Sequence, residues 1–266
     1  MEQFVTLAHA LADAAAEAII PFFGAHGEVE SKADASPVTE ADRAAEQAMR
    51  EILLREAPEH TIYGEEFGIT TRHAPAASPH YTWVLDPIDG TRAFMKGLKE
   101  WGTLIALCED GVPILGLMHQ PITGERWLGV RGKETTYQGQ PIQKSAAATS
   151  LAEAEISTTS AAYFTPAQTQ AFAALAKQCK RTVLGGDCYA YGLLALGKRD
   201  IVVDAGLKPY DILALAPILQ GAGCSLTGWD GAAITLTHFL CAVASGNSEL
   251  QAAALTLLAA NSVAVR

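Results

Sequence analysis

The chain has 266 residues, 49% of them hydrophobic, and a formal net charge of −10. That length and apolar content allow a large core in one domain or two closely packed ones. The acidic balance argues against nucleic acid as a partner, because no Lys/Arg cluster is available to neutralise a phosphate backbone. A small phosphate ester stays open, since a bound cation reverses the sign of the local field. Five scattered cysteines without a CxxC pair fit a reduced compartment and buried thiols, so a cytoplasmic location is expected. Asp13 and Glu17 interrupt the apolar N-terminal run, and neither secretion nor a membrane span is expected.

In chain order, Phe4, Leu7, Ala8, Leu11, Ala15, Ile19 and Phe22 recur at helical spacing, predicting an amphipathic helix from residue 2 to about 22. Gly24 and Gly27 end it. Ser36-Pro37-Val38-Thr39 leads into a second helix over about 39–57, with Thr39 and Asp42 spaced like a capping pair. Residues 61–63 and 81–86 read as strands, joined by a polar, Pro/Ala-rich loop over 69–80. Three β-patterned runs follow at 103–109, 112–119 and 125–130, with turns at Gly111 and Thr123-Gly124. The Ala/Ser-rich stretch 145–154 divides the chain into an N-terminal half, 1–145, and a C-terminal half, 146–266. The second half reads as a helix near 166–179, a strand near 181–184 and a helix starting by Asp187. A strand at 200–204, a helix at 209–221, a strand near 240–244 and a terminal helix complete it. Alternating helices and strands imply a layered αβ architecture.

The most informative stretch is Trp83-Val84-Leu85-Asp86-Pro87-Ile88-Asp89-Gly90-Thr91. Val84 and Leu85 read as the end of a buried strand, Pro87 as a residue that cannot continue the ladder, and Gly90 as a tight turn. Asp86 and Asp89 then sit at the lip of a sheet facing nearly the same point. Carboxylates that close repel unless they share a proton or a cation. With no thiol or imidazole nearby in sequence, a hard oxygen-loving cation such as Mg²⁺ fits best. Ordinary Asp-Pro and Asp-Gly turn chemistry is the competing account. It weakens beside Gly64-Glu65-Glu66, which follows the apolar stretch Thr61-Ile62-Tyr63 and brings acids to the same edge.

Gly64-Glu65-Glu66, Asp86-Pro87-Ile88-Asp89-Gly90-Thr91 and Lys208-Pro209-Tyr210-Asp211, in that order and spacing, resemble the signature of the inositol monophosphatase family of Mg²⁺-dependent phosphatases. The resemblance runs from Lys32 to about Gly231. Arg92-Ala93-Phe94, Trp101-Gly102-Thr103, Gly185-Gly186-Asp187-Cys188-Tyr189 and Asp204-Ala205-Gly206-Leu207 are similar to the histidinol-phosphatase branch. Inositol-specific members tend to carry Thr-Asn-Phe after the signature Thr and Trp-Asp at the last motif. Two positions depart from the branch pattern: Lys99 stands where Pro is expected, and Cys224 where a second Gly is expected.

The resemblance implies the sugar-phosphatase fold, layered α-β-α-β-α. It also implies hydrolysis of a phosphate monoester by a water nucleophile, assisted by two or three Mg²⁺ ions. Glu65, Asp86, Asp89 and Asp211 are the expected carboxylate ligands, with the Ile88 carbonyl as a neutral one. Glu65 and Thr91 are implied to orient the attacking water. Backbone N–H groups at Gly90-Thr91 suit phosphate oxygens if a helix starts there. Asp211 follows Pro209 in what should be a first helical turn, where a simple dipole-complementing role is the alternative. Lys32, Asp42 and Thr39 are candidates for a supporting shell or a third metal site, with plain helix capping an equal reading of Asp42 and Thr39. Asp187 and Asp204 are the candidate substrate-selecting acids; Asp187 also suits an N-cap. Arg92 either contacts substrate or phosphate, or stabilises its loop.

Acidic partners suit histidinol phosphate, which carries an amine and an imidazole. The leading expectation is therefore a histidinol-phosphatase-like enzyme of histidine biosynthesis. The rival is a phosphatase of the same fold acting on inositol phosphate, a sugar phosphate or a nucleotide 3′-phosphate. A catalytically silent binding protein is the more distant alternative, disfavoured by the intact acids. A homodimer and inhibition by Li⁺ are implied by the resemblance. Gly192 to Lys198 fits most of a P-loop pattern, but Arg199 occupies the Ser/Thr position and the run reads as a packed helix. The seven histidines show no metal-ligand spacing, and Trp101 reads either as a border of the active site or, by default, as core.

Overall fold

Ala8, Leu11, Ala12, Ala15 and Ile19 bury one face of α1 (Glu2–Ile19), and a 3-10 turn at Ile20–Phe22 finishes it. The computed structural model describes residues 1–24, 30–31, 37–38, 40–71, 79–144 and 147–262. Lys32, Thr39, the stop signal at Gly27 and most of the loop expected over 69–80 lie outside the described residues. A short antiparallel pair, β1 (Glu30–Ser31) and β2 (Pro37–Val38), precedes α2 (Glu40–Glu56). Then come β3 (Thr61–Gly64), β4 (Gly68–Thr70), β5 (Tyr81–Asp89), α3 (Thr91–Met95), β6 (Gly102–Glu109), β7 (Val112–Gln120) and β8 (Glu125–Val130). The hairpin β9 (Thr136–Tyr137) and β10 (Gln140–Pro141) completes the first sheet. The second half holds β11 (Glu155–Thr158), α4 (Pro166–Ala176), β12 (Arg181–Leu184), α5 (Asp187–Ala195) and β13 (Ile201–Ala205). After these come α6 (Pro209–Ile212), α7 (Leu215–Gly221), β14 (Ser225–Thr227), β15 (Cys241–Ser245) and α8 (Ser248–Ser262).

Eight strands form one sheet in the order β10-β9-β8-β7-β6-β5-β3-β4, and five form another in the order β12-β11-β13-β15-β14. The first is antiparallel except where β3 runs parallel to β5. Side chains alternate across it, as a two-residue period requires. Trp83, Leu85, Ile105, Leu107 and Leu117 face α1 and α2, while Val84, Leu104, Ala106 and Met118 face the other way. That second face packs on α5 to α7, which also meet Val202, Ala242 and Ala244 of the second sheet. Ile156, Val203 and Val243 on the far face of the second sheet pack on α4 and α8. The result is five layers, α-β-α-β-α, as expected.

Several features differ from the sequence expectation, the unforeseen strands β9, β10 and β11 among them. The strand expected to stop before Pro87 continues through Asp89, because a bulge between Asp86 and Asp89 leaves Pro87 out of the ladder it cannot join. Gly68–Thr70 folds back on β3 as a further strand. The helix expected over 209–221 is two, α6 and α7. Pro217 has no N–H for the Leu213 carbonyl, so a continuous helix cannot form there. Ser225–Thr227 adds the edge strand β14.

Two small residues decide how closely the central layer can sit. Gly116 and Gly129 face each other across β7 and β8. A Cβ at Gly116 would lie 1.8 Å from the Ala214 carbonyl oxygen, and one at Gly129 would lie 2.3 Å from the Ile218 nitrogen. The backbone of the α6–α7 segment therefore rests directly on the sheet. This close approach brings α6 over β5.

Candidate metal centre

Residues three apart on a regular strand point to opposite faces. Asp86 and Asp89 do not, because the bulge inserts one residue between them: Asp86 pairs with Leu104 and Asp89 with Gly102. Ile88 turns into the core beneath α1 and α2, and both acids face α6. The buried Thr103 hydroxyl donates to the Pro87 carbonyl at 2.7 Å and holds the bulge in place. Asp211, in the first turn of α6 after Pro209, comes down from above. Oxygen atoms of Asp86, Asp89 and Asp211 lie within 4.8 Å of one another.

Each of the three carboxylates is differently occupied. Asp86 is 1% exposed, and its Oδ1 has no hydrogen-bond partner. Asp89 Oδ2 accepts the backbone N–H of Cys188 at 2.6 Å, and Asp211 Oδ2 accepts that of Lys208 at 2.8 Å. Burial pushes the Asp86 carboxyl well above its usual range, with the charges of Glu65, Asp89, Asp211 and Asp42 adding to it. Asp89 is raised in the same way by burial, then by Asp187 and Asp211. Asp211 is pushed up to about 7, chiefly by burial, with Glu65 contributing and the Lys208 N–H opposing. Three crowded acids, one of them fully buried with an orphaned oxygen, make a site that a cation would relieve. The donors are all oxygen, and burial keeps the neighbouring Cys188 thiol protonated, so a hard divalent ion fits.

The remaining candidates surround this point. Glu65, on the turn after β3, donates its own N–H to the Leu85 carbonyl at 3.2 Å, and its charge reaches Asp86 and Asp211. Asp42 is buried in the first turn of α2, close enough for its charge to act on Asp86. Thr91 Oγ1 donates to the Ile88 carbonyl at 3.1 Å. Gly90 takes a left-handed φ of 95°, and a Cβ there would meet Trp101 Cβ at 2.9 Å and Asp187 Oδ2 at 3.1 Å. No side chain fits between these groups. Trp101 itself is core, stacked with Phe94 and Phe23.

A cleft of about 740 Å³ opens above the carboxylates, walled by Glu65, Asp89, Thr91, Asp187 and Asp211. Asp187 heads α5 after Gly185 and Gly186, in a left-handed conformation with φ of 39°. Its carboxyl is pushed up to about 6 by burial and by Asp204, against the pull of Arg92. Arg92 is exposed on the same wall. Asp204 lies deeper, and the donors it meets are the protein's own. Thr158 Oγ1 and the Thr159 N–H bind one oxygen at 3.0 and 2.8 Å, and the Tyr191 hydroxyl binds the other at 2.8 Å. Exposed Leu98, Tyr163 and Leu184 give the cleft an apolar rim.

Two features escaped the sequence reading. Glu125 gathers the hydroxyls of Tyr137, Tyr189 and Thr123 at 2.6–2.9 Å, joining β8 to α5 behind the cleft. Glu46 and Arg50 lie buried on α2 beneath the Glu65 turn. The signal for the second pair was present: Asp42, Glu46 and Arg50 share the helical stripe of Ala45, Met49 and Leu53. Charged residues on an apolar stripe need partners inside.

Comparison with known proteins draws these observations together. The profile of the inositol monophosphatase family matches residues 1–263. A bifunctional phosphatase from Arabidopsis thaliana, the chloroplastic IMPL2, is 42% identical over 97% of this chain and 75% of its own length. A histidinol-phosphatase from Streptomyces coelicolor is 36% identical, covering 85% of this chain and 86% of its own. Among solved structures, an inositol monophosphatase from Zymomonas mobilis superposes with a TM-score of 0.86 at 46% identity, covering 97% of this chain and 98% of that one.

Proposed function

The chain belongs to the inositol monophosphatase family of phosphatases, and from that premise we propose that it is a Mg²⁺-dependent phosphomonoesterase whose preferred substrate is L-histidinol phosphate. The observation that carries the metal chemistry is the convergence of Asp86, Asp89 and Asp211 around an unpartnered buried oxygen. These three, with Glu65 and the Ile88 carbonyl, would hold two or three Mg²⁺ ions. The ions would supply Lewis-acid activation of water and neutralisation of charge on the ester.

The chain's own groups do the rest. Thr91 Oγ1 donates a hydrogen bond to the Ile88 carbonyl, which leaves its lone pairs to accept from an attacking water. Glu65, across the cleft, is the second acceptor that fixes that water's orientation. Gly90 packs without a side chain against Trp101 and Asp187, and the backbone N–H groups of Gly90 and Thr91, where α3 begins, would hold the phosphate oxygens. The rest of the substrate then extends toward Asp187, between Arg92 and the apolar rim. A carboxylate in a cleft rimmed by Tyr163 and Leu184 suits a flat, cationic group better than a polyol. The relatives that are histidinol-phosphatases support the same reading.

A second reading, hydrolysis of inositol monophosphate, is favoured by the 46% identity to the Zymomonas mobilis protein. Phosphate release with and without Mg²⁺ separates the two, comparing L-histidinol phosphate, inositol monophosphate, fructose bisphosphate and a 3′-phosphonucleotide. Asp86→Asn serves as the background. The expected result is a preference for histidinol phosphate of about 100-fold in kcat/KM, or about 2.7 kcal/mol of differential transition-state binding. Preference for inositol phosphate would keep the metal chemistry and overturn the substrate assignment. We also read the enzyme as a cytoplasmic homodimer, which a solution mass equal to one chain would refute.

A further inference from the structure

Glu46 and Arg50 stand one helical turn apart on α2, and Glu46 has no exposed surface. A buried acid and base need internal partners, and here the partners they have beyond each other, among the described residues, belong to one hairpin. Arg50 Nε donates to Glu46 Oε1 at 2.7 Å and Nη1 donates to Thr70 Oγ1 at 2.9 Å, while Nη2 donates to the Gly68 carbonyl. Glu46 in turn accepts the backbone N–H of Glu66 at 2.6 Å and that of Phe67 at 3.2 Å. A Cβ at Gly64 would lie 1.9 Å from Glu46 Oε1, so the strand end is pressed against the carboxylate. The pair grips the β3–β4 turn from below, and the Glu65 N–H ties it to Leu85 from the side. Glu65 lies between these anchors.

A buried ion pair is a poor source of stability, since apolar residues of similar volume often do as well or better. What it supplies is direction: a planar guanidinium and a two-oxygen acceptor fix a turn in one geometry. We infer that Glu46 and Arg50 are positioning residues, which set the Glu65 carboxylate toward the Asp86–Asp89–Asp211 centre. The inference rests on the reading of Glu65 as a metal-holding and water-orienting acid. It places part of the catalytic geometry on α2, a helix whose contributions foreseen in the sequence were Asp42 and, at its start, Thr39.

Glu46→Gln keeps the volume but has a single acceptor oxygen, so it cannot serve Arg50 and both turn N–H groups together. Arg50→Lys keeps the charge and loses the fork. Both full-length variants are to be compared with the parent below their melting temperatures. The readouts are kcat and KM on L-histidinol phosphate, and Mg²⁺ binding by calorimetry without substrate. The expected result is a loss of about 10–100-fold in kcat and about 10-fold in Mg²⁺ affinity, with KM moving less than about threefold. Parental kcat and Mg²⁺ affinity in either folded variant would overturn the inference, as would a lowered melting temperature with no other change. Should Glu46→Gln fail to fold, Arg50→Lys carries the test alone. Glu65→Gln separates the two layers. If it is impaired while the α2 variants are parental, only this inference falls; if it is parental on both readouts, the reading of Glu65 falls with it.

Discussion

Asp89 Oδ2 accepts the Cys188 backbone N–H at 2.6 Å, so one carboxylate both faces the candidate metal centre and caps α5 from the other half of the chain. The two duties come apart under substitution. Asparagine at position 89 can still offer an oxygen to Cys188, while alanine leaves that N–H without an acceptor. In metal-free buffer Asp89→Asn should match or exceed the parent in stability, because it removes a charge crowded by Asp187 and Asp211. Asp89→Ala should fall below Asp89→Asn by about 1–3 kcal/mol. Urea denaturation with a chelator present measures the difference, and both variants should lose turnover with Mg²⁺. Equal stability of the two would show that the cap contributes nothing.

Stability should depend on pH in a direction opposite to that of ordinary paired acids. Asp211 moves from 3.8 up to about 7 on folding, and Asp187 up to about 6, in both cases chiefly through burial. Between the unfolded and folded values the native state holds the extra protons, so stability falls as pH rises through that window. The metal-free protein should therefore melt at a lower temperature at about pH 8 than at about pH 5. Mg²⁺, which needs the carboxylates ionised, should raise the melting temperature more at the higher pH. Asp211→Asn should flatten the slope. A metal-free melting temperature that rises over this range would count against the crowding described here.

Gly116 should be intolerant of the smallest side chain. Its Cβ would sit 1.8 Å from the Ala214 carbonyl oxygen, a backbone atom that cannot swing away. Gly116→Ala should cost about 1–3 kcal/mol through overpacking, although alanine is otherwise the better strand residue. Because α6 ends just before Ala214, Asp211 should shift and Mg²⁺ affinity should weaken along with stability. Denaturation and calorimetry on one preparation test both effects.

How much of this was legible in sequence depended on whether the signal was local. The strand runs at 103–109 and 112–119, the strand at 181–184 and the helix at Asp187 follow from periodicity and turn residues, and each appears within a residue or so. The acids were legible as chemistry, since Asp86, Asp89 and Glu65 sit beside turn residues at strand ends. Their geometry was not. Nothing local says that Pro87 marks a bulge rather than a strand end, yet that bulge is what turns Asp86 and Asp89 to one face. The bonds from Asp204 to Tyr191 and Thr158, and from Asp89 to Cys188, join residues whose proximity depends on the whole topology. Glu46 and Arg50 were readable as an anomaly on an apolar stripe, but their target at 64–70 was not.

Selectivity is expected to reside in Asp187, and its backbone makes the test clean. With φ of 39° the residue sits where side chains are normally strained, and asparagine tolerates that region at least as well as aspartate. Asp187→Asn therefore removes the charge without adding strain, and it relieves the repulsion from Asp204. For a cationic ester such as L-histidinol phosphate, kcat/KM should fall by about 10–100-fold, or about 1.4–2.7 kcal/mol. For inositol monophosphate, whose hydroxyls an amide oxygen still accepts from, the change should stay within about threefold. The ratio of the two substrates is the measurement, since a general disturbance of the cleft lowers both. An equal fall on both would assign Asp187 to shaping the α5 terminus that Asp89 caps, and selectivity would then have to be sought at Arg92 and the apolar rim.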